Sequence, residues 1–203
     1  YFSMVKEMCD KMLIEHFMQF VSLDAYGEKG EYIRNGMCFD TVDKNIHRYL
    51  TDIPGRNSLT FIITMNNLSV SSLKKMMQYI LLLREMYSST YQRVWFDTPI
   101  LRFPIWQHIG LLDQNFNHYF EEAIAFMQQH KDNSDMVGFR DFEIAKLQRT
   151  YKIMQQGLDN REQHLADFWR FFRTHDSRRE TDLLGVFPEY KEWFKECQQA
   201  TKI

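Results

Sequence analysis

The sequence lacks the glycine-rich turns and paired ligands that mark the commonest enzyme classes. It contains neither GxGxxG nor GxxxxGK[ST], which hold dinucleotides and nucleotide phosphates, and it contains no GxSxG nucleophile turn. Its 7 histidines form no HxH or HExxH pair of metal ligands. Glycine is scarce, at 8 of 203 residues, so few forced turns interrupt the chain. We therefore expect long regular elements and none of the classical Rossmann, P-loop or hydrolase sites.

Cysteine and long apolar runs are equally rare. The 3 cysteines, Cys9, Cys38 and Cys197, are widely spaced and include no CxxC pair, so they predict free, mostly buried thiols in a reducing compartment. Apolar runs such as 80–83 are far shorter than the roughly 18 residues of a membrane-spanning helix. Acidic side chains interrupt the apolar residues within 1–17, which is not the pattern of a signal peptide. The sequence thus indicates a cytoplasmic protein without a membrane span.

Charge of neither sign dominates. Lys and Arg number 25 and Asp and Glu 27, and this net charge of −2 argues against a face dedicated to nucleic acid. The densest basic cluster, Arg173, Arg178 and Arg179, follows several aromatic residues, a pattern that can hold a phosphate or a nucleic acid. Acids at Asp176 and Asp182 are interleaved with it and favour ion pairs within the chain instead.

Three β-rich runs alternate with helical segments in the first half of the chain. We predict strands at 19–24, 58–65 and 92–98. A helix over 1 to about 18 precedes the first, a helix capped by Thr41 precedes the second, and a helix opened by Ser69 or Ser71 precedes the third. Buried strands that alternate with helices indicate a parallel sheet with right-handed crossovers.

The second half carries amphipathic helical patterns with no strand signal between them. We divide the chain into an α/β part at 1–110 and a helical C-terminal extension at 111–203, with predicted helices at 113–131, 141–156, 161–174 and 189–199. Large side chains in this extension are expected to be mostly buried, because exposing them together would create a partner interface: Phe126, Phe142, Leu147, Phe168, Trp169, Phe172 and Trp193.

Small polar residues stand where each predicted strand ends. The first strand ends at Ser22 and Asp24, the second at Thr64 and Asn66, and the third at Asp97. The carboxyl ends of parallel strands are where ligands bind in open sheets and barrels, so these residues are candidate ligand contacts. The two aspartates could form an acid/base pair or hold a hard metal. The same residue types also serve as ordinary caps and turns, and spacing alone leaves both interpretations open.

Four stretches of the sequence together carry a resemblance to a known family. The first is SLDAYGEKGEYIRNG at 22–36, followed by Asn45 in the next helix. The others are LTFIITMNNLSVSSLKKMMQYI at 59–80, VWFDTPILRFPIW at 94–106 and DSRRETDLLGVFPE at 176–189. These stretches resemble the radical S-adenosylmethionine (SAM) enzymes, in particular the twitch-type radical SAM proteins of environmental bacteria and phages. The resemblance runs through almost the whole chain in order.

This resemblance implies half of a parallel (β/α) barrel, of about three strands, that binds SAM. Ser22 would hydrogen-bond its ribose or carboxylate, and Arg34 would pair with its carboxylate as a planar fork. Asn66 or Thr64 would meet the ribose hydroxyls, and the backbone at 96–98 would line the adenine. The remaining cofactor contacts implied are Asp24 and Asp97. For Arg34, a surface ion pair with Glu31 or Glu28 stays open as the alternative.

The chain lacks the sequence segments with which this family binds its metal cluster. The CxxxCxxC signature that binds a [4Fe–4S] cluster is absent, as is the Gly-Gly-Glu segment that contacts the methionine amine. We therefore expect the C-terminal two-thirds of such an enzyme, or a degenerate relative, that is catalytically silent by itself and acts on an unknown substrate. The alternative is a non-catalytic binding or assembly module that meets a protein partner through its aromatic-rich C-terminal helices.

Overall fold

The computed structural model of the protein describes residues 1–53, 55–133 and 136–202. Its strands are β1 (Met18–Ser22), β2 (Ser58–Ile62) and β3 (Val94–Asp97). Its helices, in chain order, are α1 (Phe2–Asp10), α2 (Glu28–Ile33), α3 (Phe39–Asp52), α4 (Leu73–Tyr87), α5 (Asn117–Gln129), α6 (Asp141–Gln156), α7 (Arg161–Arg179), α8 (Leu183–Val186) and α9 (Lys191–Gln199). Short 3-10 turns precede α4, α5 and α9.

The three strands form one parallel sheet in the order β1-β2-β3, as predicted. Thr60 lies at its centre, in register with Phe20 on one side and Trp95 on the other. Ladder hydrogen bonds continue beyond the strands, from Leu23 N to Ile62 O at 3.1 Å and from Met65 N to Pro99 O at 2.7 Å. The strands are thus shorter than predicted at their carboxyl ends, although the chain stays paired there.

The two faces of the sheet have different surroundings. Alternate side chains point to opposite faces, and the face that carries Phe61 packs on the helices, with Phe61 against Tyr79 of α4 at 5.9 Å between ring centroids. On the other face, Phe20 is 57% exposed and Met18 is 41% exposed. We call this second face the open face; its members are Met18, Phe20, Ser22, Ser58, Thr60, Ile62, Trp95 and Asp97.

A buried ion pair joins the two halves of the sequence. Arg84 of α4 contacts Glu143 of α6 at 2.6 Å, and the side chains are 0% and 2% exposed. The guanidinium also donates to the carbonyl oxygens of Val94 at 2.9 Å and Gly138 at 3.3 Å. Glu143 in turn accepts the Arg140 N–H and so caps α6. One side-chain network therefore fixes α4, β3 and the start of α6.

A second buried arginine closes the end of α3. Arg93 donates to the carbonyl oxygens of Leu50 at 2.7 Å, Ile53 at 2.5 Å and Asn57 at 3.0 Å. The last carbonyls of a helix have no partner within it, so this side chain satisfies groups that burial would otherwise leave unpaired. Burial lowers the pKa of Arg93, and this is partly opposed by Tyr49 and Tyr87, which raise it.

The C-terminal region is helical, as predicted, and among its described residues the β structure is one isolated bridge between Lys131 and Phe139. Its large side chains are mostly inside, with Leu147, Phe168, Phe172 and Trp193 buried and Phe126 and Trp169 half-buried. Buried residues of 1–110 and 111–203 belong to one continuous hydrophobic cluster. The two stretches therefore share a core.

Several expectations about these elements are wrong. Phe142 is 58% exposed, because its neighbour Glu143 is the residue of that turn that faces the core and meets Arg84. The first helix ends at Asp10 rather than near residue 18. Helix α3 begins at Phe39 with Cys38 in the N-cap position, so Thr41 lies inside its first turn.

We predict that Glu143→Leu lowers the free energy of unfolding by about 3–5 kcal/mol, because it leaves the Arg84 guanidinium buried without its counter-charge. The double variant Arg84→Met/Glu143→Leu should recover much of this loss, since neither charge then remains inside. Urea unfolding followed by circular dichroism measures both variants.

The control for this experiment is Lys195→Ala, which removes an exposed pair with Glu192 at 2.8 Å and should change stability by less than about 1 kcal/mol. Wild-type stability in Glu143→Leu would contradict the role assigned to the buried pair.

Candidate functional site

The carboxyl ends of the strands bring several predicted site residues to one edge of the sheet. Ile62 is in register with Ser22 on β1 and with Asp97 on β3, and all three belong to the open face. Since neighbouring strands lie about 4.8 Å apart, Ser22 and Asp97 stand about 10 Å from each other across this edge. We call this region the carboxyl edge.

Asp24 is the hub of the carboxyl edge. It is 5% exposed, and its Oδ1 accepts the backbone N–H of Thr64 at 2.8 Å, which ties the end of β1 to the end of β2. The same carboxylate meets Arg34, with Nη2 to Oδ1 at 3.1 Å and Nε to Oδ2 at 2.9 Å. The Nη2 contact is a hydrogen bond, whereas the Nε contact is close but lacks hydrogen-bond geometry, so one hydrogen bond and one ion contact hold the guanidinium beside Asp24.

The partner of Arg34 is therefore neither of the two acids expected from sequence. Glu31 uses its Oε1 to accept the N–H of Phe39 at 2.6 Å, at the start of α3. The Arg34 side chain is 34% exposed, and its contacts with Asp24 use Nε and Nη2. The Nη1 edge of the guanidinium remains as a positioned donor for an anion.

Asn66 lies at the carboxyl edge but its side chain serves the backbone. Its Oδ1 accepts the N–H groups of Leu68 at 3.0 Å and Ser69 at 3.1 Å, and its Nδ2 donates to Thr64 O at 3.0 Å. These bonds form the turn that leads into α4. Asn66 consequently shapes the edge, while the half-buried Thr64 lies beside Asp24.

Asp97 has its own cation and does not pair with Asp24. Its Oδ1 accepts the Thr98 N–H at 2.7 Å and contacts Nζ of Lys146, which projects from α6. Asp24 and Asp97 thus form two separate ion pairs on β1 and β3 with β2 between them. This arrangement does not favour the acid/base pair or shared metal site that the sequence left open.

Two other residues of the edge carry unpaired polar atoms. Thr98 is 3% exposed and Asn67 is 0% exposed. Within the described part of the chain, neither the Thr98 Oγ1 nor the Asn67 Oδ1 has a hydrogen-bond partner. Buried polar atoms are nearly always satisfied, but both of these atoms are enclosed by protein and do not face a ligand at the edge.

The C-terminal helices close one side of the carboxyl edge, which the sequence did not predict. Tyr190, before α9, donates its hydroxyl to Asn67 O at 2.5 Å, and burial raises its pKa well above the usual value. Tyr32 of α2 donates to Asp176 of α7 at 2.7 Å. The one sequence feature that points to this wall is the high aromatic content of the C-terminal helices.

Asp176 belongs to that wall rather than to an ion pair with the basic cluster. Its own burial would raise its pKa, but hydrogen bonds from Tyr32, Thr181 and the Leu183 N–H outweigh burial and lower it. Arg173 lies over the Trp169 ring at 5.0 Å from its centroid. These hydrogen bonds, and not the expected ion pair with the basic cluster, therefore hold the Asp176 carboxylate.

The cysteines are free, and one departs from the expected burial. Cys197 is buried and Cys9 half-buried, whereas Cys38 is exposed at the start of α3. In the three described ranges, no group of three or more His, Cys, Asp or Glu side chains is placed to hold a metal ion. No helix there is long and apolar enough to cross a membrane.

In comparisons with known proteins, no family model, curated protein or solved structure matches the chain. The carboxyl edge must therefore be interpreted from its own geometry.

We predict that Cys38 reacts with iodoacetamide before the other two thiols. The Thr41 hydroxyl and N–H beside it lower the pKa of the Cys38 thiol, so the rate rises with pH around a midpoint below that of an unperturbed thiol. Thr41→Val removes the hydroxyl and should move this midpoint to higher pH.

Cys197 is the internal control, because burial raises the pKa of its thiol and should keep it unreactive until urea unfolds the chain. Peptide mass spectrometry identifies the modified thiol. A faster reaction at Cys197 than at Cys38 in the folded protein would refute this assignment.

Proposed function

We propose that this chain is the part of a radical SAM enzyme that binds the organic portion of SAM at the carboxyl edge. A [4Fe–4S] cluster would be held by a polypeptide segment outside these 203 residues. The observation that carries the proposal is the Arg34 guanidinium, which Asp24 fixes at the end of β1 with its Nη1 edge unused by that contact.

The order of the strands supports half of a β/α barrel. Each strand neighbours the one before it, β1-β2-β3, without the reversal of order that defines a doubly wound sheet. Crossovers of one hand then place the connecting helices on one face, and the opposite face here is the open one. In a barrel the open face would be the interior, and ligands bind at the carboxyl ends of its strands.

The donors at the carboxyl edge fit the parts of SAM. Arg34 offers a fork to the carboxylate of its methionine part. The hydroxyl of Ser22 at the end of β1 and that of Thr64 beyond β2 suit the ribose, and the backbone at 96–98, at the end of β3, suits the adenine. Asp24, Asn66 and Asp97 act one step back, by positioning these donors through their bonds to Arg34, Thr64 and Thr98.

The residues of this chain do not fit an iron–sulfur cluster. Cys9, Cys38 and Cys197 differ in burial and belong to α1, the start of α3 and α9. When bound beside a cluster, SAM supplies the radical chemistry; this chain's own residues would bind the cofactor, orient it and exclude water from it. The chain by itself would bind without turnover, and its substrate would meet the open face.

The alternative, a non-catalytic assembly module, depends on an aromatic interface in the C-terminal helices. Most of the large side chains proposed for that interface pack in the core, and Phe142, at 58% exposure, stands out among them. The exposed ring of Phe171 stacks on Trp106 at 4.3 Å between centroids. These contacts favour the cofactor-binding proposal over the interface.

We expect Arg34→Ala to weaken SAM binding by about 1.5–3 kcal/mol, the usual contribution of a charged hydrogen bond. Arg34→Lys should be only partly tolerated, because a point charge replaces a planar fork. Isothermal titration calorimetry of the 203-residue chain with SAM measures both.

The matched control is Arg170→Ala on α7, an exposed arginine that contacts Asp167 at 3.2 Å, far along the chain from the edge. It should leave the affinity unchanged. No saturable binding by the wild-type chain, or equal affinity in Arg34→Ala, would overturn the proposal.

A further inference from the structure

Strand β1 lies at the edge of the sheet, and half of its backbone groups point away from β2. Just before the strand, Phe17 O accepts an N–H of β2 at 2.9 Å, and just after it, Leu23 N donates to a carbonyl of β2 at 3.1 Å. The odd-numbered residues therefore pair with β2, and in a parallel ladder the residues between them direct their N–H and C=O groups the other way. These outward residues, which we call the free edge, are Met18, Phe20 and Ser22.

The free edge lacks the features that usually protect an edge strand. Its three N–H groups have no hydrogen-bond partner among the residues that the structure describes. The outward carbonyl of Phe20 accepts the side-chain amide of Gln19 at 2.8 Å, as it would accept the N–H of another strand. Natural edge strands usually carry charges, proline or a bulge. The sequence of β1, MQFVS, contains neither charge nor proline, its pairing with β2 is continuous, and Phe20 is 57% exposed.

Helix α1 covers a place in the sheet that no described strand occupies. Helix α3, which connects β1 and β2, meets α4 on one side, where the Tyr79 hydroxyl donates to Asp43 at 2.6 Å. On its other side α3 meets α1, where Arg48 lies 4.1 Å from the ring centroid of Phe2. Asp43 and Arg48 are five residues apart and so face different sides of the helix. Because α4 lies towards β3, α1 lies in the opposite direction, beyond β1.

A groove of about 380 Å³ lies under α1, beside the free edge. Its apolar walls are formed by Phe2 of α1, Val21 of β1, Leu59 of β2, and Val42 and Ile46 of α3. Val21 and Leu59 belong to the helix-covered face of the sheet. Side chains of a strand alternate between the two faces. Every second side chain of a strand added at the free edge would therefore enter this groove, and the others would lie on the open face.

We propose that the free edge binds an extended segment of another protein as a further strand of the sheet. Main-chain hydrogen bonds to the free edge supply affinity, and the groove selects small apolar side chains at alternate positions. A second copy of this chain fits less well, because antiparallel pairing of two β1 strands would bring the copy's helices to the place that α1 already covers. The proposal does not involve SAM, so it stands or fails independently of the proposed function.

The probe is a seven-residue peptide in which valine alternates with threonine, acetylated and amidated at its ends. Fluorescence anisotropy without SAM measures its binding to the 203-residue chain, which should be saturable. The valine N–H groups face β1 if the added strand is parallel, and the threonine N–H groups if it is antiparallel. Of two control peptides, one N-methylated at its valines and one at its threonines, one should therefore bind about tenfold or more weakly.

A third control peptide tests the groove, with lysine in place of each valine. It should also bind about tenfold or more weakly, because Arg48 lines the groove and no carboxylate appears among its described lining residues. No saturable binding of the probe, equal binding of both N-methylated forms and the probe, or equal binding of the lysine peptide would overturn the proposal.

Phe20→Pro tests the free edge from the side of the protein. It removes an outward N–H but no ladder bond to β2, so it should weaken binding of the probe about tenfold or more with little change in the thermal midpoint. Phe20→Thr is the matched control; it also loses the ring but keeps the N–H, and it should bind the probe more tightly than Phe20→Pro. Equal affinity in the two variants would contradict the site. Should Phe20→Pro fail to fold, the N-methylated peptides carry the same test on the wild-type chain.

Sedimentation velocity distinguishes the proposed partner from a second copy. The wild-type chain should sediment as a monomer at the concentrations of the titration. A concentration-dependent dimer that Phe20→Pro abolishes would show that a second copy occupies the free edge, and this result would overturn the proposal.

Discussion

The buried contact between Arg84 and Glu143 is the constraint on which the carboxyl edge depends. It docks the first turn of α6 against α4 and β3, in a place where an uncompensated charge would be costly. Helix α6 then presents Lys146 to Asp97 at the carboxyl edge. Arg140, at the N-terminus of the same helix, lies over the ring of Trp95 on β3. One ion pair thus sets the position of two cations beside β3.

The carboxyl edge is assembled from distant parts of the chain around Asp24. That carboxylate joins β1 to β2 through the Thr64 N–H and holds Arg34 at the end of α2. The C-terminal helices add a wall through Tyr190 and Asn67. Because the hydrophobic core is shared between 1–110 and 111–203, the wall and the sheet are supported by the same packing. A substitution that disturbs the packing of the C-terminal helices should therefore also alter the carboxyl edge.

The parallel sheet could be predicted from sequence because its signals are local. Apolar runs of strand length alternate with helical patterns, and that alternation alone favours a parallel sheet. The turn role of Asn66 was also within reach, since its partners Leu68 and Ser69 are two and three residues away. The contact between Asp24 and Arg34 was harder to predict, because Glu28 and Glu31 are closer than Asp24 to Arg34 along the chain.

The burial of Glu143 could not be predicted in the same way. Its partner is 59 residues away, and a pattern of apolar residues assigns the inward position to Phe142 instead. Long-range polar contacts override hydrophobic periodicity at these positions, since an unpaired buried charge costs more than an exposed ring.

Hydrogen–deuterium exchange of the 203-residue chain with and without SAM tests the central claim, that the carboxyl edge binds this cofactor. Exchange should slow in peptides covering 22–36 and 64–69, where Arg34 and the turn after β2 lie, because a bound ligand stabilises the local structure it contacts. Peptides covering 88–95, which lead into β3 at the opposite end of the sheet, should be unchanged. Protection confined to 88–95, or no protection with the cofactor saturating, would contradict the account.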